Sequence, residues 1–367
     1  MSLLRKTTSI PSRHVVSVRG IIPVVIAAGA ILFAAASQAA GSINILETGS
    51  SLLYPLFNLW VPAYTHDHPN VHITTQSTGS GTGISQAVEG IAQIGASDAY
   101  MSEALMKQHP DMLNIPLAIS MQMVNYNLPG LNKDHLKLSG PVLAGIYEGK
   151  IRNWNDSEIA HINPGVKLPD HAIIPIHRTD GSGDTFIFTQ YLSFSTPHWK
   201  SSINYGTTVS WPAVSGELGA EGNPGMVSAL KNSDYSIAYI GTSYENAINQ
   251  DGLGTAMLQN HDGDFLLPNA TTADAAAKTM VSKTPKDERV SLIYAPGAQS
   301  YPIINYEYAI VNRKEPSADL AGAMRQFFTW AISDTGGNAP HFMKEVHFVA
   351  LPSQVAKLSA AQISEIR

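Results

Sequence analysis

From His177 to Phe186 the chain reads HRTDGSGDTF, which puts an arginine at the mouth of a Gly-Ser-Gly turn with Asp180 and Asp184 on either side. Arginine presents a fixed fork of N–H donors suited to oxyanions. If a helix begins at Ser182 and Gly183, its first N–H groups are unpaired and carry the positive end of the helix dipole, a second donor set for an anion. The two acids would repel such a ligand, so they need a separate task. Two more Gly-Ser turns, GSS at 49–51 and STGSGTG at 77–83, repeat the donor design, and GASD at 95–98 adds another acid, Asp98, after an apolar stretch.

Positioning these turns requires strands that end and helices that begin. SINILETGSS starts a strand with Ile43 and Ile45 inward, and Pro55 suits the first position of a helix whose apolar face is Leu56, Leu59, Trp60 and Ala63. VHITTQ alternates as a second strand, followed by a helix with Ile84, Ala87, Val88 and Ile91 on one side. AIIPIH and TFIFTQYLS give the third strand–turn–helix unit, with Phe188, Tyr191 and Leu192 inward. Such units imply an α/β sheet. SIAYIG and YPIINYEYAIVN read as strands, Thr271 to Arg289 as a surface helix region, and LAGAMRQFFTWAI as an amphipathic helix.

Several chemistries are disfavoured. The chain has no G-x-x-x-x-G-K-[ST] string and no full dinucleotide glycine spacing. Neither Ser80 nor Ser182 has glycines two residues away on both sides, as a hydrolase elbow requires. Ser228 and Lys231 form S-x-x-K, but within VSALKNSD, which reads as an ordinary helix end; His66 and His68 in HDHP read as a polar turn rather than a metal site.

At 367 residues and 44% hydrophobic content the chain can bury two ordinary cores. Residues 1–39 carry Arg5, Lys6, Arg13 and Arg19 with no acid, then the apolar run Ile21 to Ala36 and SQAAGS, the pattern of a secretory signal peptide cut near Ala39. The alternative is an uncleaved membrane anchor. There are no cysteines, so neither disulfides nor lipid attachment through a cysteine is expected. Without the four leader cations, 19 basic face 29 acidic side chains, a net of −10. That charge argues against nucleic acid, and an anionic ligand would have to be held by local oriented dipoles rather than by the overall field.

ETGSSLLYPLFNLW, STGSGTGISQA, IGASDAYMSE, HRTDGSGDTFIFTQYL and YPIINYEYAIV, taken in that order, resemble the phosphate-binding proteins of bacterial phosphate ABC transporters, from about Ile43 to the C-terminus. The resemblance implies an α/β, two-lobed periplasmic-binding-protein fold with two hinge crossings near AISMQ and YPIIN. One lobe would hold 41–120 with 303–367, the other 121–302. It implies ligand contacts from the backbone of Leu53 and Tyr54, from Ser80, Asp98, Arg178, Ser182 and Gly183, and from Asp184, where other members have threonine. Asp180 would be the ion-pair partner of Arg178. The implied protein is no enzyme and has no cofactor or metal. It is a periplasmic monomer that captures inorganic phosphate and hands it to a membrane permease. Phosphate at neutral pH keeps one or two protons, so the acceptor-only carboxylates of Asp98 and Asp184 would take them and reject fully deprotonated sulfate. A secreted phosphate-ester hydrolase and a binder of another oxyanion are the rival readings.

Overall fold

The computed structural model describes residues 41–367; the expected signal peptide and its cleavage point lie outside the described residues. Twelve strands run in chain order: β1 Ile43–Gly49, β2 Val71–Ser77, β3 Ile94–Ser97, β4 Met112–Asn127, β5 Lys137–Leu138, β6 Ile174–Arg178, β7 Leu218–Ala220, β8 Ser236–Gly241, β9 Gly254–Thr255, β10 Met257–Gln259, β11 Phe265–Leu266 and β12 Ile304–Asn312. The main sheet has the order β2-β1-β3-β12-β4-β8-β6-β7, with β9 also on β4; β11-β10-β5 form a small second sheet.

The sheet is parallel at both ends and antiparallel in the middle. β2, β1 and β3 run together at one end, and β8, β6 and β7 run together at the other. Between them β4 is the long spine, buried over all 16 residues. From Met112 to Met121 it pairs antiparallel with β12, and from Gln122 to Asn127 it pairs antiparallel with β8. The chain thus changes partner between Met121 and Gln122 without leaving the strand. Beside it, Gln122 N–H donates to the carbonyl of Ile303 at 3.1 Å. A strand buried on both faces reads as an apolar run rather than an alternation, which is why MLNIPLAISMQMVNYN shows no period of two.

Helices follow the parallel strands. Tyr54–Asp67 packs Leu56, Phe57, Trp60 and Tyr64 inward, so the expected face is rotated: Leu59 is half-buried and Ala63 exposed. The rings of Phe57, Trp60 and Tyr64 meet Phe327 and Trp330, and burying three aromatic rings outweighs an alanine. The second helix, Ser80–Val88, ends before Ile91, which is 55% exposed; Gly90, at φ 72°, ends that turn. In the stretch expected as a surface helix, Ala270–Met280 is helical with Ala273, Ala276 and Ala277 buried, and Glu288 is fully buried.

Candidate anion-binding site

The C-terminal ends of the parallel strands from both ends of the sheet converge, the usual location of ligand sites in open α/β sheets. β1 ends in the turn that opens Tyr54–Asp67. β2 ends in the turn before Ser80–Val88, and β3 ends at Ser97 with Asp98 next. β6 ends at Arg178, with Thr179 to Ser182 between it and the helix Gly183–Ser195. The sequence therefore stops β1, β2 and β6 at Gly-Ser turns, each of which delivers a helix start to one place, while β3 delivers Asp98.

The contact between the two sides is backbone-close. Gly81 N–H donates to the carbonyl of Gly181 at 2.8 Å. Gly79 sits at φ 86°, and a Cβ there would come to 2.7 Å from the Gly181 oxygen. Any side chain at Gly183 would overlap Asp98 Oδ2 and Ser80 Oγ. Glycine is needed at both places because one helix start faces the other.

Arg178 is 4% exposed. Its Nε donates to Asp180 Oδ1 at 2.7 Å, its Nη2 to Asp180 Oδ2, and its Nη1 to Asp184 Oδ2 at 2.7 Å. Asp180 is steadied by the Gly222 N–H at 3.2 Å. Burial works to raise the Asp180 carboxyl, but the arginine outweighs it and holds Asp180 below its ordinary range. The backbone N–H of Arg178 donates to Tyr239 Oη at 2.9 Å, and Tyr239 shares a 2.7 Å bond with Thr185 Oγ1.

Asp184 is also fully engaged. Oδ1 accepts from Gln122 Nε2 at 3.1 Å, and Oδ2 accepts from Arg178 and from Asn223 Nδ2 at 2.7 Å. Burial first, then the charge of Asp98, pushes Asp184 up to about 7 against the pull of Arg178. Ser182 caps its helix by accepting from Thr185 N–H at 3.1 Å, and the first N–H groups of that helix have no partner within it.

On the other side Asp98 is 1% exposed. Oδ1 accepts from Ser50 Oγ, and Oδ2 from Ser80 Oγ at 3.3 Å; its own N–H donates to Ser80 Oγ at 3.1 Å. Burial raises its pKa, and hydrogen bonds from Glu307 and Ser50 with the field of Arg178 lower it in part. The N–H groups of Leu53 and Tyr54 are taken up inside their own turn, Leu53 by Ser50 Oγ and Tyr54 by the Ser50 carbonyl, both at 3.0 Å. The Leu53 side chain lies wholly in the core.

All the expected residues therefore meet, but the structure adds others. Ser50, Gln122, Asn223, Tyr239 and Glu307 are each fully buried around them. Asn223 bridges the two sides, donating to Asp184 and to Ser51 Oγ at 2.9 Å while its Oδ1 accepts from Gly241 N–H at 2.9 Å. Gln122 and Glu307 are polar residues among several in mostly apolar strands, MLNIPLAISMQMVNYN and INYEYAIVN; Asn223 lies in an unremarkable helix start, GNPGM. The sites set aside stay ordinary: Lys231 pairs with Asp251 on the surface, and His68 stacks on Tyr64. Among the described residues no group of three His, Asp or Glu side chains is placed to hold a metal.

Residues 34–335 match a PBP superfamily domain. The chain is 36% identical to the phosphate-binding protein PstS of Pasteurella multocida, covering 91% of this chain and 93% of that one. It is 34% identical to the phosphate-binding protein PstS of Methanocaldococcus jannaschii, over 89% and 87%. Among solved structures, a high-affinity periplasmic phosphate-binding protein, PfluDING, bound with phosphate, aligns with TM-score 0.67 at 19% identity over 87% of this chain and 92% of that one. The phosphate-binding protein of Stenotrophomonas maltophilia aligns with TM-score 0.66 at 19% identity over 87% and 93%. The fold is the two-lobed periplasmic-binding-protein fold, and the chain belongs to the family of phosphate-binding proteins of phosphate ABC transporters.

Proposed function

We propose that the chain captures inorganic phosphate outside the cytoplasm, between a lobe of residues 41–120 with 303–367 and a lobe of residues 121–302, and delivers it to an ABC permease. A member of this family is a solute-binding protein and not an enzyme. The partner switch of β4 at Met121/Gln122 and the adjoining Ile303 bond support those lobe limits.

The observation that carries the reading is Asp98: a wholly buried carboxylate set against the start of Gly183–Ser195 and within the field of Arg178. A site of donors alone would suit any oxyanion. An ionised carboxylate accepts only, so it needs a ligand that still carries a proton. Phosphate brings that proton and sulfate does not; facing sulfate, Asp98 would oppose a lone pair in a dry cleft at a cost of about 1–3 kcal/mol or more. Donors would come from the backbone N–H of Ser80, whose hydroxyl stays on Asp98, from Ser182, the N–H of Gly183 and Arg178, with Asp180 and Asp184 balancing the arginine. For Leu53 and Tyr54 the proposal requires their N–H groups to exchange Ser50 for a ligand oxygen.

Calorimetric titration of the full chain with phosphate and then sulfate, at pH values on either side of 7, tests this. One-to-one phosphate binding with sulfate excluded is the expected result. Equal binding of both anions would mean that Asp98 does not face the ligand.

A further inference from the structure

Glu307 stands directly behind Asp98. It lies on β12, fully buried, and its Oε1 accepts from Ser120 Oγ of β4 at 2.5 Å. Among the described residues its other oxygen, Oε2, has no partner able to donate to it, and β12 runs beside β3 with Tyr308 opposite Ser97, which sets Glu307 next to Asp98. Two ionised carboxylates in contact in a dry site, with no cation of their own, are strongly unfavourable; one must carry a proton.

The charges around the pair decide which one. Facing it are Asp184 on the helix Gly183–Ser195 and, beyond it, Arg178 at the end of β6, already caged by Asp180 and Asp184. Asp98 receives hydroxyl bonds from Ser50 and Ser80 and feels the Arg178 charge, all of which favour its ionised form. Glu307 receives one hydroxyl bond and sees Asp98 and Asp184, both of which favour its neutral form.

We infer that Glu307 is a positioning and specificity-determining residue of the phosphate site: as a neutral acid it donates its Oε2 proton to Asp98, keeping Asp98 ionised and so able to accept the P–OH of the ligand. This rests on the phosphate reading of the cleft. The four lone-pair positions of the Asp98 carboxylate then take Ser50, Ser80, Glu307 and the ligand hydroxyl. The arrangement resolves an otherwise awkward demand. A buried carboxylate tends to take a proton from water, and a protonated Asp98 would be a donor that welcomes sulfate.

The test uses two substitutions in the full chain, each titrated with phosphate and with sulfate from pH 6 to pH 8.5. Glu307→Gln keeps a donor aimed at Asp98 that cannot be lost, so phosphate affinity should stay within about threefold of the unsubstituted chain and sulfate should remain excluded. Glu307→Leu removes the donor, so at the acid end phosphate affinity should fall about tenfold or more, sulfate binding should appear, and both changes should shrink as the pH rises and Asp98 ionises. Melting curves on both variants separate a folding defect from a binding one, and the glutamine variant carries the decision if the leucine variant does not fold. Loss of phosphate binding in Glu307→Gln as severe as in Asp98→Asn would overturn the inference, as would a leucine variant with unsubstituted selectivity at every pH. If the unsubstituted chain itself fails to bind phosphate, the reading of the cleft falls and this inference with it. If it binds phosphate and the variants give either overturning result, the inference alone falls.

Discussion

The two sides of the cleft use the same local architecture, a strand ending in a Gly-Ser turn before a helix, and fill it with opposite electrostatics. On the β6 side one arginine is held by two aspartates, with Asn223 and Gln122 completing the second. On the β3 side Asp98 has only hydroxyls and another acid around it. Backbone donors come with the architecture and are shared. In the proposed function the side chains then divide the labour: the arginine side would set how strongly any oxyanion is held, and the Asp98 side which oxyanion is accepted. With the arginine already caged, the proposed reading leaves the oriented N–H groups of the helix starts to draw an anion into a protein of net charge −6.

The sharpest way to break this comparison is to remove the cation. Arg178→Ala leaves the buried Asp184 and the half-buried Asp180 without their cation, and breaking such a pair typically costs about 3–5 kcal/mol. The expected outcome is loss of phosphate and sulfate binding alike together with a clear drop in melting temperature, read by calorimetry and thermal unfolding. An effect confined to phosphate would contradict the division. Asp98→Asn should act on selectivity instead: phosphate affinity falls by about tenfold to a hundredfold, from an unpaired buried group worth about 1–3 kcal/mol, while competition by sulfate becomes measurable. Unchanged discrimination would move the filter elsewhere.

Asn223→Ala tests the bridge between the sides. It removes the bonds to Ser51, Asp184 and Gly241, and phosphate affinity should drop about tenfold with no gain of sulfate; small-angle scattering of the phosphate-saturated variant should show a larger radius if the bridge helps hold the lobes together.

The smallest effect is expected far from the cleft. Glu288 is buried with only neutral partners, Ser359 Oγ at 2.9 Å and Gln362 Nε2 at 2.7 Å, a situation like that of Asp98 without a cation. Burial, against those two bonds, pushes it from 4.5 to about 8. Because the folded value lies above the ordinary one, the fold favours the protonated acid; that stabilisation is complete below about pH 4.5 and lost as the pH rises through about 8. Glu288→Gln should therefore flatten the decline of melting temperature between those limits. An unchanged slope would assign the decline to other acids.

Much of this was legible in the sequence because turns and helix starts are written locally. Gly-Ser before an apolar-periodic run marks where a strand stops and a helix begins, and Arg178, Asp180, Ser182 and Asp184 are neighbours in the chain before they are neighbours in space. The order of motifs supplied the fold class. The face of Tyr54–Asp67 and the length of Ser80–Val88 were misread because aromatic packing against Phe327 and Trp330, and the glycine at 90, are decided by distant or backbone terms. Ser50, Asn223 and Glu307 stayed hidden for a different reason. Their roles depend on which side chains stand opposite after folding, and a strand such as INYEYAIVN does not say that its glutamate will face an aspartate about 200 residues earlier.

The unbroken course of β4 through Met121 and Gln122, with Gln122 N–H bonded to the carbonyl of Ile303, has a mechanical consequence. Two crossing segments that were separate strings would let the lobes twist and slide as well as open. With the proposed lobe limits, crossings hydrogen-bonded side by side would act as one short leaf spring, stiff in the plane of the sheet and compliant in bending across it. Opening would then follow a single arc, and each closure would return the two helix starts to the same facing position, so that alignment of the cleft would be set by the spring and not by the anion that enters it.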